Sequence, residues 1–454
     1  MQFFATSKDS LVAAALEASM RSVRLCNANA NTFNIDEHQR WCADSVKDRV
    51  VLKVSAPEAR GSYLQKHTTY LVTQESHQEG VRRRFRDFEW LHVVLRTRYV
   101  GLLIPPLPEK TTTAAVLKTN AFMQSRMRGL QRFLNGIMQS PYLRSDAAVA
   151  SFLSEPGDEA TWEAMKKSTA VMDNAGEGHM RWLQRIMCEH ITSSPENEIS
   201  VFKRHVEQRE RLLNELAACA KRLADRSAAM AMDVSTLHAL FAGWQLAETG
   251  AETRNDGPLV ALLDKSTATI SGWSQVECFQ PAIYELLLLE NIKYMLSQAT
   301  AMKQMLMERE RAVAGESSPS PPQTVSPSSP PTSGFSVASF TSAASRFMSA
   351  VEPPSLSIEE QQRRAHHISE LITRALMAEE MQRFRVETTK ELENIMNHFS
   401  CAEAQLSKRS GSVWREYLKT TPTDPQALAQ STKELLDSAS TTCIPSSPSA
   451  AEAF

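Results

Sequence analysis

The chain has no excess of charge. Across 454 residues the formal net charge is −2 at pH 7, so no global field draws it to nucleic acid. No hydrophobic run is long enough to span a bilayer, which predicts a soluble protein. The seven cysteines include no CxxC pair and no His/Cys ligand spacing, which argues against a zinc site or disulfide framework and fits reduced thiols in the cytosol. A phosphate-cradling glycine loop, a zinc signature and a nucleophile motif are all missing, so the sequence predicts neither an enzyme nor a cofactor. The start, MQFFATSKDSLVAAALEASMRSVRL, is weakly amphipathic, but Asp9 and Glu17 interrupt it and it has no signal-peptide hydrophobic region. Residues 1–45 are therefore expected to be a disordered or weakly structured extension.

Against this neutral background, VRRRFRDFEWL at 81–91 concentrates positive charge around an aromatic residue. Upstream, RVVLKVSA and TTYLVTQES are rich in Val, Thr and Tyr and read as strands, with GVRRRF as a third. A helix follows, with Asp87 placed as its N-cap and Phe88, Leu91, Val94 and Leu95 on one apolar face. Strand-end arginines beside a helix N-terminus make a pocket for a dense anion, and the planar arginine fork suits phosphate. The prolines of LIPPLPEK at 103–110 stiffen a loop that sets Lys110 at a fixed distance from the arginines. AFMQSRMRGLQRFLNGI at 121–137 reads as a helix with Phe122, Met127, Leu130, Phe133, Leu134 and Ile137 inward and Arg126 near one edge. Taken singly, an arginine run is an ordinary charged strand edge and PPLP a stiff loop. Their order and spacing carry the information.

RRRFRDFEWL, then IPPLPEK, then SRMRGLQRFL resemble the phox-homology (PX) domain of sorting nexins, over about residues 46–155. The resemblance implies a small three-stranded antiparallel sheet with helices that binds phosphatidylinositol 3-phosphate. It implies that Arg84 grips the 3-phosphate and Phe85 stacks on the inositol ring. Lys110 would contact the 1-phosphate side, and Arg126 the 4- and 5-hydroxyls. Arg86 stands where many relatives have serine, and either adds a contact to the 3-phosphate or faces solvent. Val116 and Leu117, just past the proline loop, either dip into the membrane interface or pack inward. On the same reading Arg82 and Arg83 serve the strand edge or the general membrane field.

Residues 156–196 are a linker in which MRWLQRIMCEH at 180–190 has helical apolar spacing, fitting either a membrane-inserting helix or one packed against the protein. Three zones, 197–249, 257–313 and 356–418, carry intermittent apolar stripes, each long enough for a helix of roughly 75–90 Å. Pro281 is expected to disturb the second. Such helices cannot bury their apolar faces in one thin bundle, and a second chain is the simplest partner. A PX unit followed by these zones resembles the BAR-domain sorting nexins. The expected fold is thus α+β, a PX domain and then an elongated three-helix BAR coiled-coil domain at 197–420. A Ser/Pro-rich insertion at 314–356 interrupts it, and a mostly disordered tail follows at 421–454.

The resemblance implies a peripheral protein of early endosome membranes that senses or induces curvature as a homodimer or a heterodimer with another BAR sorting nexin, alongside retromer-like or other coat components. Lys303, Arg309, Arg311, Arg363 and Arg364 flank the turn between the second and third helices, where they face either an anionic leaflet or their own interleaved glutamates. Within the insertion, 334–351 places Phe340 and Phe347 opposite a Ser/Thr face, the pattern of a lipid-packing sensor or of biased disordered sequence. Two alternatives remain open: an autophagy-related nexin, and a cytosolic helical scaffold whose PX-like unit binds protein.

Overall fold

The computed structural model describes residues 34–47, 50–60, 67–74, 80–110, 120–155, 161–166, 176–189, 195–251, 257–315, 358–419 and 424–443. They fall into two compact units: Met1–Glu215 with Ile292–Glu391, and Leu216–Asn291 with Leu392–Phe454. Val116, Leu117, Phe340, Phe347 and the 334–351 pattern lie outside the described residues.

In the first unit the β-branched runs form an antiparallel sheet of β1 (Leu52–Arg60), β2 (His67–Gln74) and β3 (Gly80–Arg84), in that order. Val54 pairs with Val72, Val72 with Val81, and Tyr70 with Arg83. Strand alternation therefore turns Val81 and Arg83 toward the core face and Arg82 and Arg84 to the other. Three helices build on this sheet: α2 (Phe85–Arg98), α3 (Asn120–Gln139) and α4 (Ala147–Ser154). Their apolar stripes supply Phe88, Leu91, Leu95, Leu130, Phe133, Leu134 and Phe152 to one core with the sheet valines. The α2 helix begins two residues before Asp87. Arg84 is its N-cap, and Asp87, in the first turn, accepts the Arg84 backbone N–H at 2.8 Å. A carboxylate in that place satisfies an orphan donor as an N-cap would, from inside the helix.

Two segments expected to lack structure are helical. The first, α1 (Ile35–Lys47), buries His38, whose Nε2 lies 3.0 Å from the Tyr142 hydroxyl. The fully buried Tyr142 and Trp182 rings give this short amphipathic helix a surface to dock on, which its own sequence does not reveal. The second is α12 (Pro425–Cys443).

After α4 come α5 (161–166) and α6 (Glu177–Met187). The apolar face of α6 is consumed by protein packing: Trp182, Leu183 and Ile186 are fully buried in the same core. The first unit also contains the start of α7 (Pro195–Ala251). The second unit contains α8 (Pro258–Glu277). Both α9 (Glu290–Val313) and α10 (Ile358–Ala375) pack in the first unit from residue 292 on. Gly101, with φ of +85°, lies where a Cβ would come within 2.6 Å of the Ala375 Cβ, so this turn requires glycine for both conformation and space.

The second unit holds the rest of α7, then α8, the start of α9, most of α11 (Met381–Lys419) and α12. At Pro281 the second long helix is interrupted. The chain makes a single turn, Gln280–Ala282, then seven residues of π-helix, Ile283–Leu289, because proline lacks the donor that would continue the ladder. Trp273 packs on Trp414 at 5.4 Å and Tyr284 on Phe399 at 6.0 Å. Leu240, Trp244, Leu246 and Leu262 of this unit remain exposed in the single chain. Among the described residues no helix is long and apolar enough to cross a membrane.

Candidate functional site

The site forms where β3 runs into α2. Arg84 is the last strand residue and projects from the face opposite the core, with its side chain 21% exposed. Phe85 opens α2, half-buried. Helix α3 brings Arg126 onto it: the guanidinium lies 4.7 Å from the Phe85 ring centroid and 4.4 Å from that of Phe122. Arg126 is buried rather than at an edge, and its Nε has no hydrogen-bond partner. Burial pushes the neighbouring Tyr70 phenol up in pKa, and Arg126 opposes that shift. The guanidinium is thus held between two rings with its Nε donor unpaired.

The proline loop completes the arrangement. Leu103 at its start is held through both backbone groups: its N–H donates to Glu380 at 3.0 Å and its carbonyl accepts from Arg383 at 3.2 Å. The two residues are at and just beyond the π-helical turn Leu376–Glu380 of the same unit. Pro105 and Pro108 then lie against Gly136 and Gly129 of α3, close enough that a Cβ at either glycine would collide. Lys110 at the loop's end donates to Glu89 of α2 at 2.7 Å, one turn beyond Phe85. The four residues predicted to read an inositol phosphate thus converge on the first turns of α2. Arg86 is exposed.

Arg83 is no part of the strand edge or membrane field. It is 2% exposed and donates to the carbonyls of Phe152 at 3.0 Å and Glu155 at 2.7 Å, capping the C-terminus of α4. Its guanidinium also lies 3.9 Å from the Trp162 ring. Burial pushes its pKa down to about 10, with Asp87 and Glu155 pulling the other way.

Sequence reasoning missed three charged neighbours. Glu163 of α5 pairs with Arg84 at 2.7 Å, Lys166 of α5 pairs with Asp87 at 3.0 Å, and Glu89 holds Lys110. The two α5 residues follow the strand by 79 residues, and no local pattern links them to it.

The basic residues near the end of α9 and the start of α10 separate into groups. Arg309 is 4% exposed, donates to Thr373 at 2.7 Å and pairs with Glu196, which removes it from any membrane-facing set. Lys303 pairs with Glu210 and Arg364 with Glu360. Arg311 and Arg363 are exposed.

Comparison with known proteins agrees with this layout. The PX-domain family profile matches residues 71–156. Sorting nexin MVP1 of Kluyveromyces lactis is 36% identical over 145 residues, 28% of this chain and 27% of that protein. Sorting nexin mvp1 of Aspergillus oryzae is 28% identical over 277 residues, 60% of this chain and 37% of that protein. The cryo-EM structure of the SNX-BAR Mvp1 tetramer matches 82% of this chain and 100% of its own, with a TM-score of 0.55 at 18% identity. The chain contains a PX domain and has the fold of an SNX-BAR protein. Its matches span 27% and 37% of the length of these two curated sorting nexins. The α+β order is the expected one, a three-stranded antiparallel sheet with helices followed by a long helical region.

Proposed function

We propose that this chain is a sorting nexin, a non-enzymatic peripheral membrane protein that reads phosphatidylinositol 3-phosphate on early endosomes. The observation that carries the reading is Arg126, buried between Phe85 and Phe122 with a free Nε donor, beside Arg84 at the α2 N-terminus. In this reading Arg84 takes the 3-phosphate, two of whose three free oxygens match the guanidinium fork, and the helix N-terminus adds a favourable dipole. Phe85 lies under the inositol ring, Arg126 hydrogen-bonds its free hydroxyls and Lys110 meets the 1-phosphate. Arg86, exposed on the same turn, strengthens the field around the phosphate.

The exposed apolar residues of the second unit support self-association or pairing with another BAR sorting nexin. The structurally similar SNX-BAR Mvp1 is a tetramer, and two or more PX sites in one assembly would raise avidity without improving any one pocket. Curvature sensing or induction follows from such an assembly, with Arg311 near the end of α9 and Arg363 near the start of α10 as exposed cations and retromer-like or other coat components as partners.

Vesicle flotation with the full chain tests the lipid reading. Arg84→Ala is expected to weaken binding to vesicles containing phosphatidylinositol 3-phosphate at least about 30-fold, or roughly 2 kcal/mol, the scale of a charged hydrogen-bonded contact. Binding that is unchanged, or indifferent to the 3-phosphate lipid, would sink the assignment and favour a scaffold that binds protein.

A further inference from the structure

The phosphate-reading arginine is not idle in the ligand-free chain. Glu163 Oε1 lies 2.7 Å from Arg84 Nη2, where an anionic ligand oxygen would sit if Arg84 grips the phosphate. Glu163 lies beyond the 71–156 segment that matches the PX profile, so it belongs to the chain leading into the helical region. We propose that Glu163 is an internal competitor of the ligand phosphate for Arg84, and that it sets the affinity of the site from outside the PX domain. This rests on the reading of Arg84 given above.

Three features make the contact a displaceable gate rather than a permanent fixture. The Glu163 side chain is 40% exposed and that of Arg84 21%, so water reaches the pair and the carboxylate has somewhere to go. The turn that carries Glu163 is fastened independently of it. Trp162 is buried, packs edge-on to Trp90 at 5.4 Å and lies beneath the Arg83 guanidinium. Lys166, the other partner of Glu163 at 2.6 Å, also holds Asp87 at 3.0 Å. When Glu163 swings away, Asp87 and its bond to the Arg84 backbone keep their support, and the Lys166 ammonium is left beside the site without its second carboxylate.

The chemistry favours exchange in one direction. Glu163 offers Arg84 one carboxylate oxygen and a single charge. A phosphate monoester offers three oxygens and between one and two charges, and takes the guanidinium through two parallel bonds. The phosphate therefore wins, but only after opening, and the apparent dissociation constant is the intrinsic one divided by the open fraction. A pair this exposed is worth about 1 kcal/mol, so removing the competitor should tighten binding about three- to ten-fold.

The experiment measures full-length wild type, Glu163→Gln, Glu58→Gln, Arg84→Ala and Arg84→Ala/Glu163→Gln. The probes are soluble inositol 1,3-bisphosphate by calorimetry and vesicles with or without phosphatidylinositol 3-phosphate by flotation. Glu58 is an exposed carboxylate on β1 paired with Arg60 and Arg82, so its removal changes net charge equally without touching Arg84. The expected result is a three- to ten-fold gain for Glu163→Gln with both probes, less than a two-fold change for Glu58→Gln, and no effect of Glu163→Gln once Arg84 is alanine. If Glu163→Gln binds within two-fold of wild type while Arg84→Ala abolishes binding, the competitor is refuted and the lipid site stands. An equal gain from Glu58→Gln also refutes it, in favour of a general field. If Arg84→Ala changes nothing, the site reading falls and this inference with it.

Discussion

Arg83→Met is expected to cost the full-length protein about 3–5 kcal/mol of unfolding free energy, whereas Arg82→Ala costs about 1 kcal/mol or less. The two arginines are adjacent in an apparently uniform run, yet alternation along β3 sends them to opposite faces. Arg82 is partly exposed, bonding the Ala56 carbonyl at 3.1 Å and pairing with Glu58 at 3.0 Å. Arg83 is 2% exposed, and its guanidinium satisfies the Phe152 and Glu155 carbonyls at the end of α4 while stacking on Trp162. Methionine fills most of the volume but donates nothing. The last carbonyls of α4 would then be buried without partners, at about 1–3 kcal/mol each, and the Trp162 contact would be lost. Urea titrations read by tryptophan fluorescence compare the variants. Equal midpoint shifts for the two would show that Arg83 does not cap α4.

The difference between these arginines also marks what was legible in the sequence. The strands, the α2 and α3 helices and the proline loop were legible because each is written in a local period or in fixed backbone chemistry. Arg84, Phe85, Lys110 and Arg126 come together because those elements do. The charges that complete the site are not local. Glu163 and Lys166 meet residues 79 positions earlier, and Glu380 meets Leu103 across 277. Nothing in the spacing of a lone Glu announces such a partner. Helix α1 escaped for the same reason: its docking surface, Tyr142 and Trp182, is assembled from distant segments. Arg309 shows the converse error. A basic residue near a helix end reads as surface charge until Glu196 and Thr373 are seen around it. Arg83 alone could have been placed from sequence, by carrying the strand alternation from Val81 through to residue 83 instead of reading the arginines as a block.

The second large effect concerns pH. His179, in the first turn of α6, is 4% exposed and lies 3.0 Å from the Arg98 carbonyl through Nε2, with the Tyr99 ring edge-on at 5.3 Å. Burial pushes its pKa down to about 4; the carbonyl contact opposes this and the Arg98 charge adds to it. That charge is itself balanced by Asp146 at 2.6 Å. The native state therefore holds a neutral imidazole while the unfolded chain takes up a proton near pH 6.5. Between those values the unfolded state binds more protons, so stability falls as pH falls, by up to about 1.4 kcal/mol per unit and about 3 kcal/mol in all. Above pH 6.5 neither state is protonated and the contribution is fully present. His38, also lowered by burial, acts in the same direction at the α1 contact. Other groups titrate in this range, so the difference between wild type and His179→Gln isolates the effect. Glutamine keeps an N–H for the Arg98 carbonyl and cannot titrate. Wild type should be the more stable at pH 7 and should lose about 2 kcal/mol relative to the variant on going to pH 5, read by urea unfolding through the buried Trp182 of the same helix. A gap between the two proteins that stays constant from pH 7 to pH 5 would mean that His179 does not titrate as a buried neutral base.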